Sequence, residues 1–174
     1  MRRSSSLILQ IVRRANDSVV RYRVMNRRSM VPKSGKIVSF KGDSCFVCGK
    51  SNTIGLHLDF EYDSENITAK SSVVFGEEHQ GWDDVIHGGI LTAALDDVMA
   101  HSLFTTGNMA ITTNIEVKFL KAVKVGERCL IEGRAVKIGR KMANVEGVLY
   151  VEDDGDRVIK CESKGTYYLD PSVD

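Results

Sequence analysis

The chain of 174 residues has few of the features that mark several large classes of protein. Its four cysteines are too few for a disulfide scaffold. No apolar run approaches the roughly 18 to 20 residues of a membrane-spanning helix. The formal net charge is only +1, so the chain as a whole is not a polycation built to bind nucleic acid. We recognise no secretory signal and expect a cytoplasmic protein with reduced thiols.

The small net charge hides an uneven distribution along the chain. Residues 1–36 carry ten Lys or Arg and one acid, whereas residues 37–174 carry fourteen basic and twenty-two acidic residues. This asymmetry predicts a basic N-terminal extension, residues 1–36, followed by one folded domain, residues 37–174. We expect the extension to form a helix packed on the acidic body. A transit-like segment and a helix at a membrane surface are the alternatives.

The whole chain has 43% hydrophobic residues, and the pattern in residues 37–174 predicts short strands around one helix. Alternation of polar and apolar residues predicts strands, and an apolar period near 3.6 predicts a helix. The resulting order is β-β-α-β-β-β-β, with predicted strands at 56–62, 67–75, 111–119, 127–138, 142–152 and 157–168, a loop at 76–87 and a helix at 88–105. Consecutive strands with short turns and a single helix indicate an antiparallel sheet wrapped on that helix, an α+β fold.

The predicted helix is unusual because no Lys or Arg occurs from Trp82 to Asn108. One arc is apolar and should pack on the sheet; it consists of Ile90, Leu91, Ala94, Leu95, Val98 and Met99. The opposite side carries small residues and one carboxylate, namely Thr92, Ala93, Asp96 and Ala100. A surface without cations is typical of one that protein covers. We therefore infer that a partner subunit lies against this side.

The helix begins at His87-Gly88-Gly89, where free amides and the positive end of the helix dipole could stabilise a developing negative charge. The alternative is an ordinary loop end, with His87 as a capping or packing residue. Asp96 lies nine residues beyond His87, about 13 Å along the helix axis. If both act on one substrate, Asp96 must come from a neighbouring subunit; otherwise it is simply an exposed acid.

Three stretches of the body resemble the hotdog-fold acyl-CoA thioesterases, specifically their phenylacetate-pathway-like and THEM-like branch. The resemblance covers roughly residues 45–168. It rests on Cys45-Phe46-Val47-Cys48-Gly49 with Gly55-Leu56, on the run from His87 to Asp96, and on Ile111-Thr112-Thr113-Asn114 leading into Phe119 and Val125-Gly126-Glu127. It implies a long antiparallel sheet around a central helix, with subunits paired as a dimer or a dimer of dimers and sites at the interface.

The resemblance also implies roles for individual residues. The amides of Gly88 and Gly89 would receive the thioester oxygen, Asp96 of the other subunit would act as general base or nucleophile, and Thr112 would help to place the water. By alternation, Thr112 is predicted on the polar face of its strand. Many relatives have an Asn six residues before the His. That position is Gly81 here, and His79 or Gln80 could substitute for it.

Further contacts to the substrate are expected at Gly81 and Asn114, and at Arg140 and Lys141, which could meet the phosphates of coenzyme A. The pair Cys45 and Cys48 is half of a zinc site, but the other two cysteines fall in strand patterns. We therefore predict no metal and no cofactor. The leading hypothesis is an acyl-CoA thioesterase. The alternative is a non-catalytic protein of the same fold that binds or senses acyl-CoA, and no nucleic-acid partner is expected.

Overall fold

The computed structural model describes residues 44–170, which form one antiparallel sheet wrapped around one helix. The predicted helix at residues 1–36 lies outside the described residues. The strands are β1 (Glu61–Asp63), β2 (Thr68–Val74), β3 (Gln80–Trp82), β4 (Val85–Ile86), β5 (Met109–Phe119), β6 (Arg128–Ile138), β7 (Met142–Asp153) and β8 (Asp156–Asp170), and the helix is α1 (Gly88–Phe104). No helix within the described range is long and apolar enough to cross a membrane.

Six of the strands form the main sheet in the order β1-β2-β6-β7-β8-β5. Every neighbouring pair in this sheet is antiparallel. The short turns expected between the last three strands lie at residues 139–141, between β6 and β7, and at Asp154-Gly155, between β7 and β8. Both residues of the second turn have positive φ angles, 48° and 85°, as a tight two-residue hairpin requires. The predicted α+β architecture is confirmed.

The helix packs on the sheet through the apolar arc read from the sequence. Five of its six residues are buried, and Ile90 is half-buried against the same core. On the other flank, the segment before β2 covers part of the helix within the same chain: the Phe60 ring stacks on His101 at 3.8 Å. Part of the cover that the sequence assigned to a partner is therefore supplied by residues 45–62. Thr92, Ala93, Asp96 and Ala100 stay half-buried.

Two predicted elements differ in the structure. Residues 56–60 alternate like a strand, but they join no sheet, because His57 adopts a positive φ of 53° that interrupts the extended chain. The amides of Leu56 and Leu58 donate instead to the carbonyls of Phe46 and Val47. The predicted loop at 76–87 contains a short 3-10 helix, Glu77–His79, and the β3-β4 hairpin, which ends directly before α1.

The helix approaches the sheet most closely at two facing glycines, Gly133 on β6 and Gly147 on β7. A Cβ atom built on Gly133 would lie 2.7 Å from the Met99 Cα and from the Val98 carbonyl oxygen. A Cβ on Gly147 would meet the ends of two side chains, Ser163 and Met99. Backbone cannot move aside as a side chain can, so Gly133 sets the distance between helix and sheet.

We predict that Gly133→Ala destabilises the fold by about 2 kcal/mol or more, because α1 must shift to relieve the overlap. Gly147→Ala is the matched comparison and should cost less, since the Met99 and Ser163 side chains can rotate away. Urea denaturation with an unchanged m-value measures both. Equal losses for the two variants would contradict the assigned role of Gly133.

Candidate active site

The start of α1 is organised around the His87 ring. His87 is the extended N-cap residue, and the Gly89 amide donates to its Nδ1 at 2.9 Å. The amides of Ile90 and Leu91 donate to the His87 carbonyl oxygen. The Gly88 amide is the exception in this first turn, because it donates to no acceptor among the described residues. Of the two amides expected as free donors, Gly88 alone is available in this conformation.

The Gly88 amide lies at a cavity of about 490 Å³. The cavity is formed by the β3-β4 hairpin, the helix start and the chain after β5, with Trp82, His87, Phe119 and Lys121 among its lining residues. A Cβ on Gly88 would lie 3.2 Å from the Phe119 ring, so this ring closes over the helix start. Trp82 and Phe119 remain 82% and 54% exposed. The cavity is therefore half-open and apolar on one wall.

Gly81 packs directly beside His87. A Cβ at Gly81 would lie 2.9 Å from the His87 Cδ2, and no side chain is present here to donate a hydrogen bond. His79 and Gln80 do not fill this role. The His79 Nδ1 accepts the Gly76 amide at 3.1 Å, and the Gln80 side chain bonds within its own loop, to the Glu77 carbonyl oxygen and the Asp84 amide.

The Asp96 carboxylate is held by two hydroxyl groups of the same chain. The Thr112 Oγ1 donates to Oδ1 at 2.8 Å, and the Tyr167 hydroxyl lies 3.1 Å from the same oxygen. Burial and the neighbouring Asp96 raise the pKa of Tyr167 well above its usual value, so its hydroxyl stays protonated. Oδ2 forms no hydrogen bond among the described residues. The carboxylate is thus fixed through one oxygen and presents the other.

A β-bulge brings Thr112 to Asp96. The register of β5 against β8 shifts between Thr112 and Asn114, with Thr113 as the extra residue. Thr112 pairs with the buried Tyr167 and faces the helix, whereas Asn114 is exposed on the other face. The prediction that Thr112 shares a face with Asn114 is wrong, because strict alternation does not continue through a bulge.

The structure does not bring the other predicted contacts to the cavity within one chain. Arg140 and Lys141 lie exposed at the β6-β7 turn, where the Lys141 carbonyl oxygen accepts the Leu169 amide. Leu169 pairs with Ala110 at the start of β5, and the cavity lies at the opposite end of this strand. The nine residues from Ala110 to Phe119 correspond to roughly 30 Å.

Sequence reasoning missed two residues that shape the site. Tyr167 lay in a predicted strand, but its contact with Asp96 depends on sheet register. Lys160 is buried, and its Nζ donates to both Glu127 oxygens and to the Ala122 carbonyl oxygen, each at 2.9 Å. This ion pair fixes the chain around residues 120–127, part of which lines the cavity.

Gly88 and Asp96 belong to separate places in one chain. Eight helical residues correspond to about 12 Å along the axis and about 80° around it, so the two groups do not reach the same substrate atom. One chain therefore contains a lone amide at a cavity and, elsewhere, a lone oriented carboxylate.

Comparison with known proteins agrees with the fold. Residues 83–158 match the family model of the Thioesterase superfamily. A protein of Archaeoglobus fulgidus named "Putative esterase" is 29% identical over 100 residues, which are 58% of this chain and 63% of that protein. The chain thus spans less than two thirds of this curated relative.

Solved structures show the same fold. A crystal structure of a thioesterase superfamily protein superimposes with a TM-score of 0.64 at 18% identity, covering 71% of this chain and 62% of that one. A Streptococcus mutans protein bound to acetyl CoA gives 0.59 at 19% identity, covering 64% and 87%. With one helix inside a long antiparallel sheet, the chain has the hotdog fold of these proteins, and its residues 83–158 are similar to the thioesterase superfamily.

Proposed function

We propose that this protein is an acyl-CoA thioesterase whose active site forms between two copies of the chain. The observation that carries the proposal is the Asp96 carboxylate, anchored through Oδ1 by the Thr112 and Tyr167 hydroxyls with Oδ2 left for a water molecule. The match of residues 83–158 to the thioesterase superfamily supports the reaction class.

In the proposed reaction, the Asp96 carboxylate takes a proton from water while the water oxygen attacks the thioester carbonyl carbon. The Gly88 amide stabilises the negative charge that develops on the carbonyl oxygen. The carbon–sulfur bond then breaks, and the coenzyme A thiolate leaves and takes the proton that Asp96 accepted, which restores the Asp96 carboxylate. The products are a free acid and coenzyme A. Direct attack by the carboxylate is the alternative route, and it requires the same two residues.

Strand β5 supports the pairing of two copies. Within residues 44–170 it is an edge strand of 11 residues, and one side of its backbone pairs with no strand of this range. Antiparallel pairing with a second β5 reverses the strand and brings the Thr112 end of one copy beside the Phe119 end of the other. Asp96 lies at the first end and Gly88 at the second. The two halves of the site thereby meet.

Coenzyme A as the leaving group is supported by charge and by the Streptococcus mutans relative bound to acetyl CoA. Exposed Lys121 lines the cavity. The same strand reversal carries the turn with Arg140 and Lys141 of one copy toward the cavity of the other. These side chains supply positive charge for phosphates. Asn114 and Gly81 remain proposed contacts to the substrate.

A binding protein without catalysis is the second candidate. It is favoured by one observation: His87 occupies the Gly89 amide and Gly81 offers no side-chain donor, so a single amide stabilises the oxyanion. Tight acyl-CoA binding by calorimetry, without release of free coenzyme A from any acyl chain length, would establish this role in place of hydrolysis.

Asp96→Asn is expected to lower kcat on acyl-CoA by at least about 100-fold, because the amide cannot accept a proton from water. Release of coenzyme A measured with a thiol reagent gives the rate. Asp154→Asn is the control, since it removes an exposed carboxylate at a turn whose left-handed conformation suits Asn. Full activity in Asp96→Asn would exclude the proposed base.

Thr112→Val is expected to lower kcat by about tenfold with little effect on KM, because Asp96 loses the hydroxyl that orients it. Thr112→Ser keeps the hydroxyl and should restore most of the rate. A purely structural role for Thr112 predicts the reverse order, since Val matches the shape of Thr better than Ser does. Steady-state kinetics of the two variants separates these outcomes.

Gly88→Pro is expected to lower kcat by about 100-fold, because it removes the proposed oxyanion donor. Proline is tolerated at the first position of a helix, so α1 should still form. Gly88→Ala is the matched control: it adds a Cβ against Phe119 but keeps the amide hydrogen. Equal losses in the two variants would point to crowding at Phe119 instead.

Co-folding the Asp96→Asn and Gly88→Pro chains tests the shared site. If each site takes Asp96 from one copy and Gly88 from the other, half of the sites in a mixed dimer are intact. Random mixing then restores about a quarter of the wild-type rate. No restoration in dimers shown to contain both variants would exclude a site built from two chains.

A further inference from the structure

The second carboxylate of the helix, Asp97, faces two cysteines on the flank opposite Asp96. One ligand atom each from Cys45, Cys48 and Asp97 lie within 4.8 Å of one another. The three residues are half-buried. Sequence analysis searched for partners of the cysteine pair among the other cysteines; the partner that the fold supplies is an aspartate almost fifty residues along the chain.

We propose that Cys45, Cys48 and Asp97 bind a zinc ion that fastens residues 45–58 to helix α1. Zinc accepts thiolate and carboxylate ligands together, at about 2.3 Å and 2.1 Å. Two sulfurs on one tetrahedral zinc ion are about 3.8 Å apart, so the observed cluster needs only a small contraction to close on the ion. A water molecule is the fourth ligand.

The surroundings of Asp97 indicate a missing positive charge. In the described part of the chain, the one basic side chain within 4 Å of this carboxylate is His101, whose Nε2 lies 3.6 Å from Oδ2. This distance is too long for a hydrogen bond. Oδ2 is buried and accepts no hydrogen bond. A buried carboxylate without a cation is costly, and a bound divalent ion removes this cost.

The neighbours of the cluster hold its ligands in place. The Val47 amide donates to the Cys45 Sγ at 3.4 Å, and the Gly49 amide closes the turn on the Cys45 carbonyl oxygen. The Tyr62 hydroxyl lies 2.7 Å from the His101 Nδ1. When this hydroxyl donates, the His101 proton is on Nε2, the ring nitrogen 3.6 Å from the Asp97 Oδ2. An imidazole N–H on the outer oxygen of a ligating carboxylate orients that ligand.

A disulfide between the two cysteines is the competing use of the pair. The Cys48 thiol lies within 4.8 Å of the Asp97 carboxylate and can act as a hydrogen-bond donor to it. Oxidation would remove this donor and leave the buried carboxylate with less compensation than it has now. The zinc site instead uses all three groups, and it explains why an acid and an imidazole face the thiols.

The test is the metal content of the full chain, purified under reducing conditions without chelators and measured by mass spectrometry. We expect about one zinc ion per chain, lost in Cys48→Ser and in the nearly isosteric Asp97→Asn. Cys161→Ala is the control, because this buried thiol lies outside the cluster. Metal retained by both cluster variants, or absent from the wild type, would overturn the proposal.

Two further measurements cover misfolded variants and the disulfide. Cobalt added to the metal-free wild-type chain should produce the absorption of thiolate-bound tetrahedral Co²⁺, and its absence counts against the site. Titration of thiols in denatured protein should find all four cysteines free once the metal is removed. Two free thiols would show that the pair is oxidised and would replace the zinc site with a disulfide.

Discussion

The contact between helix α1 and Gly133 is the constraint on which both candidate sites depend. The backbone of Val98 and Met99 lies so close to this glycine that a methyl group has no room. The helix is thereby held at a fixed depth and rotation in the sheet. Neighbouring residues on a helix point about 100° apart, so a fixed rotation decides which surroundings each side chain meets. The Asp96 side chain contacts β5 and β8, whereas the Asp97 side chain lies against residues 45–62.

The two adjacent carboxylates consequently have different chemistry. Asp96 receives hydroxyl donors on one oxygen and keeps the other free, which suits a group that must accept a proton. Asp97 is desolvated, and burial with the nearby Asp96 raises its pKa to about 6 even though the Cys48 thiol donates to it. A desolvated carboxylate is costly unless another group pairs with it. Its cysteine neighbours favour a metal ion.

The sequence predicted what depends on local pattern. The helix, five of the strands, the hairpin turns and the apolar arc follow from periodicity and turn residues, because each is determined by neighbours in the chain. It could not predict which face of β5 Thr112 lies on, because the alternation of polar and apolar residues does not reveal the bulge at Thr113. Nor could it predict that Tyr167 reaches Asp96, or that Asp97 joins Cys45 and Cys48, because these contacts depend on register and on the path of a long non-repetitive segment.

Strand β5 explains why a second copy is the simplest completion of the proposed active site. The outer edge of this 11-residue strand is unpaired among the described residues, and proteins normally protect such an edge. It ends beside two exposed apolar residues, Phe119 and Leu120. Neither end of the strand has both an amide donor and a base. If two copies pair through β5 about a two-fold axis, the strand edge is paired and apolar surface is covered. The Thr112 end of one copy then lies beside the Phe119 end of the other. In the proposed dimer, one contact would therefore both cover this edge and complete the active site.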